Sequence, residues 1–296
     1  MTRVAEKLRV ALSTSLTMPR ASSATNTLAP AAWSIDVSVP LLPLDGLHHV
    51  VEPAAMPQYK RPPITEAVIE LRLEQPLPRA EVEKLLQRFQ NEYAFSEDFV
   101  AVGVQVDPAA RRANFEEQSS GYKLSSADRA DVLLVTSAHM SCSRLAPYVG
   151  WDAFRARAED HWRTWKRITG YRKIGRIGVR FINRIDIPAA GGKVVKLPDY
   201  LSVYPEAPAI KRMAAYAMQM SGPLEEDNCR LVINSSLVPS PLVDHVSVIL
   251  DIDISRAGDA PQKDDEIWAL IDRIRVHKNQ AFEESITDKA RELFNA

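Results

Sequence analysis

The sequence predicts an α+β fold: an extended antiparallel sheet from two similar β-α-β(3-4)-α halves, with helices packed on one face. Three observations carry this. Short runs of alternating apolar and polar residues recur between turn residues, at Ile64–Glu74, Val132–Cys142, Lys173–Pro188 and 244–255. Two longer segments, 152–169 and 263–284, instead repeat apolar residues at helical spacing. The order of elements also repeats: strand, helix, four strands, helix over about 58–171, then strand, short helix, three strands and two helices over about 172–296. The two halves share a pattern and almost no identity.

Residues 1–57 stand apart. They are rich in Ser, Thr, Ala and Pro and lack periodicity, so they are expected to be a disordered or mis-annotated extension, with Met56 as the natural start. Arg3, Lys7, Arg9 and Arg20 lend a faint transit-peptide flavour, but no apolar run follows for a secretory signal. Residues 58–296 form the expected single domain. Ile64–Glu74 puts Ala67, Ile69, Leu71 and Leu73 on one face and Glu66, Glu70, Arg72 and Glu74 on the other. Pro78 suits a helix start, and Val82, Leu85, Leu86 and Phe89 give the stripe of a helix over 79–93. Strands are expected at Val100–Asp107, Ala113–Gln118, Tyr122–Ser126 and Val132–Cys142, with turns at Pro108-Ala109, Ser119-Ser120-Gly121 and Ala127-Asp128.

The corner Pro147-Tyr148-Val149-Gly150-Trp151 leads into the helix 152–169, whose stripe holds Phe154, Ala158, His161, Trp162, Trp165 and Ile168. Tyr148 and Trp151 are the expected surface contacts there. The central strand Lys173–Pro188 carries Ile177, Val179, Phe181 and, across a small bulge, Ile185 on one face, with Arg176, Arg180 and Arg184 on the other. A short helix near Pro198–Val203 and strands at 212–221, 228–238 and 244–255 follow. Ile267, Leu270, Ile271 and Ile274 mark the helix 263–284, and Ser285-Ile286-Thr287-Asp288 reads as a capping box for a last helix reaching Phe294. Joined edge to edge, the halves would follow the plan of saddle-shaped TATA-binding-protein-like folds; a helix-grip or ferredoxin-like pair is the alternative.

Composition narrows the function. A net charge of −1 gives no general pull toward nucleic acid or anionic membranes. No apolar run is long enough to span a bilayer. Two cysteines, Cys142 and Cys229, both in apolar runs, make neither a disulfide framework nor a metal site, which fits a reducing cytoplasm. No cofactor is expected: phosphate loops, dinucleotide fingerprints, nucleophile elbows and paired histidines are all missing.

Three constellations carry the candidate sites. Arg180, Asn183 and Arg184 could hold an anion, because the planar guanidinium matches two oxygens of a carboxylate or phosphate. Against this, Glu66, Glu70 and Glu74 on the other lead strand are natural cross-strand partners. Lys278 and Asn279 interrupt the apolar stripe of the helix near its end and would cap carbonyls or line a pocket. Asp186, Asp251 and Asp253 are metal candidates, two of them on one strand face, as a hard divalent cation requires converging oxygens.

YKRPPITEAVIELRLE at 59–74, the Pro147–Trp151 corner, GVRFINRIDIP at 178–188 and KNQAFEESITDKARELF at 278–294 resemble a sporadically distributed bacterial family of uncharacterised proteins with R-[FY]-x-N-R-I and F-E-x-S-I-T-D motifs. The resemblance covers about 59–296. It implies no catalytic residue, and a patchy distribution of that kind implies a mobile-element or defence association. The expected function is a non-enzymatic binding or interaction component, cytoplasmic, with a protein partner or self-association and no membrane. Nucleic acid is a less favoured partner. The alternative is a metal-dependent hydrolase acting on nucleic acid or nucleotide through Asp and Glu.

Overall fold

The computed structural model describes residues 57–107, 112–192, 194–210 and 213–295, together with one short strand at Thr14–Thr17. The rest of residues 1–56 and the Pro108-Ala109 turn lie outside the described residues. From residue 64 onward nine strands form one antiparallel sheet, and β1 (Thr14–Thr17) runs along its edge to make ten among the described residues.

The first half comprises β2 (Ile64–Leu73), α1 (Arg79–Phe89), β3 (Phe95–Asp107), β4 (Arg112–Ser125), β5 (Asp131–Thr136), β6 (His139–Leu145) and α2 (Trp151–Thr169). The second comprises β7 (Ile174–Pro188), β8 (Ala217–Leu224), β9 (Cys229–Val238), β10 (His245–Ala257), α3 (Asp264–Ser285) and α4 (Asp288–Asn295). Strand order across the sheet is β1-β3-β4-β5-β6-β2-β7-β10-β9-β8. Each half therefore folds its last strand back beside its first, and the first strands, β2 and β7, join the halves at the centre.

Alternation along these central strands sorts their side chains. Ala67, Ile69 and Leu71 of β2, Ile177, Val179, Phe181, Ile185 and Ile187 of β7, and Val248, Leu250, Ile252 and Ile254 of β10 all point to one face and are buried. The helices cover that face: Val82, Leu85 and Phe89 of α1, Phe154, Ala158, Trp162 and Trp165 of α2, and Ile267, Leu270, Ile271 and Ile274 of α3 complete a single core. The opposite face of β2, β7 and β10 carries the charges. Among the described residues no helix is long and apolar enough to cross a membrane.

Several expectations need correction. No bulge interrupts β7 between Ile177 and Ile187, so Asn183 falls in line with Phe181 and Ile185 on the helix-covered face. The β2–β7 ladder shifts at two other places: Thr65 is extra on β2 opposite Ile182 and Asn183, and Gly175 is extra on β7, where Arg72 pairs with Arg176 but Leu73 with Ile174. Ser119-Ser120-Gly121 is not a turn; β4 runs straight through it. Gly121 is required for closeness, since a Cβ there would lie 2.1 Å from the Val135 carbonyl oxygen. Conversely, Val132–Cys142 is two strands. The Thr136 hydroxyl accepts from the Ala138 and His139 amides at 3.2 and 3.0 Å, closing a turn that has neither Gly nor Pro. The Ser285 capping box is also absent: its hydroxyl donates back to the Ala281 carbonyl (2.6 Å), and Thr287 starts α4 instead.

Candidate functional site

The uncovered face of the central strands holds a transverse polar row. Arg72 of β2 donates to Glu70 at 3.3 and 3.4 Å, and Arg176 of β7 donates to the same Glu70 at 2.6 Å and to Asp253 of β10 at 3.1 Å. Arg180 makes a fork to both oxygens of Asp251, 2.7 Å each. Asn234 of β9 donates to Asp251 at 2.9 Å and accepts from Gln219 of β8 at 2.7 Å. Gly178, directly opposite Glu70, leaves room for the Arg176 guanidinium; a Cβ would stand 2.6 Å from it. Arg184 bonds Asp186 at 3.1 and 3.2 Å, and Ser247 donates to Asp186 as well.

The electrostatics follow from this packing. Burial alone would raise the Glu70 pKa, but Arg176, His139 and Arg72 outweigh it and hold the carboxyl at about 2. Asp253 goes the other way. Its burial, reinforced by the neighbouring Asp251 and Glu70, prevails over Arg176 and Arg180 and raises its pKa. Burial of Arg180 opposes its charge, yet the two bonds to Asp251 dominate and raise it.

The row reorganises the anion and metal candidates. Arg180 and Arg184 are brought to the open face, but each fork is occupied by a carboxylate of the sheet. The glutamate strand supplies only one partner, Glu70 for Arg176; β10 and β7 supply the rest. Asn183 does not join the arginines: it is 2% exposed on the helix side and donates to the Leu250 carbonyl at 3.0 Å. Asp186, Asp251 and Asp253 are each engaged by a different arginine. Among the described residues no group of three or more His, Cys, Asp or Glu side chains is arranged to hold a metal.

A second cluster forms on the covered face, where α3 crosses β7. Lys278 continues the Ile271–Ile274 stripe one turn on and is 6% exposed, with its Nζ 3.7 Å from the centre of the Phe181 ring. Tyr148 packs edge-on to Phe181 (5.7 Å between centroids) and to Phe154 (6.3 Å). Trp151 lies 6.4 Å from Phe181 and donates from its indole to Asp272 at 2.9 Å. The expected surface role of Tyr148 and Trp151 is thereby corrected: Trp151 is buried and Tyr148 half-buried, and the exposed members of the corner are Pro147 and Val149. Arg275, three residues before Lys278 and so on the same side of the helix, stacks over Trp151 at 5.5 Å. Asn279 is half-buried beside them.

Burial and, secondarily, the Arg275 charge push the Lys278 pKa from 10.5 down to about 7. That drop corresponds to about 5 kcal/mol against the ammonium. The Phe181 ring returns about 1–2 kcal/mol, so desolvation wins. Glu283, the nearest carboxylate influence, is occupied elsewhere: it accepts from Tyr59 at 2.7 Å and from Arg291 at 3.0 Å.

Sequence reasoning missed two further groups. Asp227, in the β8–β9 turn, is buried and ties that turn to α3 through Arg273 (2.7 Å) and His277 (2.8 Å). His161 and Tyr93 share a buried bond of 2.7 Å, and burial drives the His161 pKa down to about 4. Arg275 had a detectable signal, a cation at i−3 from a lysine that itself occupies an apolar stripe position. The two thiols are buried; desolvation raises both, Cys229 to about 11. No family model matches the chain, and no curated protein matches it at a significant level.

Proposed function

We propose that the chain is a non-enzymatic binding module whose contact surface is the helix-free face of the sheet, and that its partner is a folded protein. One observation carries this reading. Between the ion pairs of the row, Val68, Ile182 and Ile249 stand half-exposed at the centre of that face, while the arginines beside them are already neutralised. Apolar groups interleaved with closed ion pairs suit a protein surface, where charge at the contact core is depleted and arginine is tolerated. A phosphate backbone needs free cations, and Arg176, Arg180 and Arg184 each bond a carboxylate within the sheet.

The test compares the tagged full chain with an Ile182→Glu/Ile249→Lys variant of unchanged melting temperature in affinity capture from the native cell. A stoichiometric protein that co-purifies with the first and is lost from the second supports the reading. Equal capture by both moves the contact away from this face. Nucleic acid recovered in place of protein, with retention falling steeply as salt rises, favours the saddle-face alternative. Divalent-dependent hydrolysis of a nucleotide by the purified chain, abolished in Asp251→Asn, overturns the non-enzymatic assignment.

A further inference from the structure

The sheet has β1 along one edge and β8 (Ala217–Leu224) at the other, with no strand beyond β8 among the described residues. We propose that β8 pairs antiparallel with β8 of a second copy of this chain, about a twofold axis at Gln219, so that two chains share one continuous sheet. This contact lies at the sheet edge and is separate from the helix-free face.

The outward groups of β8 follow from its bonds to β9. Leu237 donates to the Tyr216 carbonyl at 3.1 Å, which makes Tyr216 and Leu237 a hydrogen-bonded pair. Alternation then commits Met218, Met220 and Gly222 to β9 and turns the N–H and C=O of Ala217, Gln219 and Ser221 away from it. Pro223 falls in the outward series, where a strand proline removes no ladder bond. All four of these outward residues are exposed. Natural sheets ordinarily blunt such an edge with charge, a bulge or a covering helix. β8 has no charged residue, and its register with β9 is unbroken. The place that α1 takes after the lead strand of the first half holds only a short 3-10 turn, Leu197–Asp199, in the second.

This edge is complementary to itself, which is what a twofold contact requires. With the axis at Gln219, Ala217 stands opposite Ser221 of the second copy and Gln219 opposite its own equivalent. Each outward N–H of Ala217, Gln219 and Ser221 then meets an outward C=O, and Pro223, with no N–H to give, lies beyond them. On the helix-covered face Met218 falls opposite Met220 of the second copy, at the close spacing of about 4.5 Å between Cα atoms. That contact covers Met220, which is 45% exposed in the single chain. Glu225 and Glu226 stand exposed just past β8. Parallel pairing would set them beside their equivalents, whereas the antiparallel arrangement sends the two acidic turns to opposite ends. A strand without charge offers nothing to select a charged partner strand, and its own sequence fits it at every outward position.

The test is sedimentation velocity of the purified full chain over a concentration series from about 1 to 100 μM, a range suited to a contact of modest area. The wild type is expected to pass from monomer to dimer within it. Ser221→Pro removes an outward N–H and adds a ring there while leaving the β8–β9 bonds in place, so it should remain a monomer with an unchanged far-ultraviolet spectrum. Gln219→Lys sets like charges opposite each other across the axis and should weaken the dimer about tenfold. Mixing Gln219→Lys with Gln219→Glu should restore dimers at least as tight as those of the wild type, less so at high salt. The Ile182→Glu/Ile249→Lys variant of the helix-free face should dimerise as the wild type does. A wild type that stays monomeric throughout overturns the proposal, as does a dimer that survives Ser221→Pro or is lost in the helix-free-face variant. A dimer broken by Ser221→Pro but not rescued by the charge mixture overturns the axis at Gln219.

Discussion

Lys278→Met should make the protein more stable, and the size of the gain follows from what the ammonium loses on burial. Its fall from 10.5 to about 7 represents about 5 kcal/mol of native-state penalty when the lysine is charged in the unfolded chain. The Phe181 contact returns about 1–2 kcal/mol, and methionine, unbranched and of similar length, keeps most of the packing. A net gain of at least about 2 kcal/mol remains, equivalent to a rise in Tm of about 4–8 °C for a domain of this size. The sign with pH is fixed by linkage. The folded pKa lies below the unfolded one, so the penalty is complete below pH 7, shrinks between pH 7 and 10.5, and is gone above. Urea unfolding of both proteins from pH 6 to 10 is the assay. A variant that is less stable at pH 7, or a stability difference that stays flat across this range, would refute the reasoning, because a lysine neutralised by an undetected partner behaves in that way.

The polar row gives neighbouring carboxylates opposite signs. Glu70→Gln should cost about 2–3 kcal/mol at pH 7 and remove stability that the wild type loses as pH falls from 4.5 through 2. Asp253→Asn, whose parent carboxyl is raised and therefore destabilising when charged, should be neutral or stabilising at pH 7; urea midpoints of the two variants test the contrast. Asp251→Ala leaves the Arg180 fork unmatched and should cost about 2–3 kcal/mol, less than a fully buried pair because Arg180 is 32% exposed, with Arg180→Met restoring part of the loss. NMR titration should place His161 near pH 4, with stability falling as pH drops from 6.5 toward 4; a pKa above 6 would contradict its burial against Tyr93. Asp251→Ala and Lys278→Met should add to within about 0.5 kcal/mol, since they share no partner.

Much of the fold was legible because alternation is a local property. The Ile64–Glu74 and Lys173–Pro188 patterns each state which residues share a face, and two such lead strands with complementary charge suggest a seam, which β2 and β7 form. Turns were read less well, since the same residues serve different ends. Ser119-Ser120-Gly121 has the composition of a turn, yet Gly121 is there so that β4 can pass close to Val135. Ser137-Ala138 has no turn signature, and a threonine hydroxyl closes it. The site was harder still. Local spacing showed that the arginines share a face with spare carboxylates somewhere, but Arg180 meets Asp251 diagonally across β7 and β10. That pairing depends on register, which depends in turn on the length of every connection between residues 188 and 245. An anion site and a metal site could therefore both be drawn from residues that in fact satisfy each other.

The central strand explains how one sheet can carry two unlike surfaces. Arg180 and Phe181 are consecutive, yet the pleat sends the first into the ion-pair row and the second under Lys278. Charge is tolerated on the open side because each arginine meets a carboxylate at close range and keeps some contact with water. On the covered side the buried lysine Lys278 has no carboxylate bonded to it among the described residues and is held by the Phe181 ring. Moving Asn183 to the covered side follows the same logic: its amide is neutral and can be satisfied by backbone carbonyls, as a guanidinium there could not be. A one-residue slip of β7 would bring Arg180, Arg184 and Asp186 beneath α3 and expose Ile177, Val179 and Phe181. Burying Arg180 away from Asp251 of β10, and the Arg184–Asp186 pair with it, would cost several kcal/mol per charge, comparable to the domain's whole stability. The arginine spacing thus acts as a register lock for the strand that joins the halves, a structural role that the row fulfils whether or not a partner binds over it.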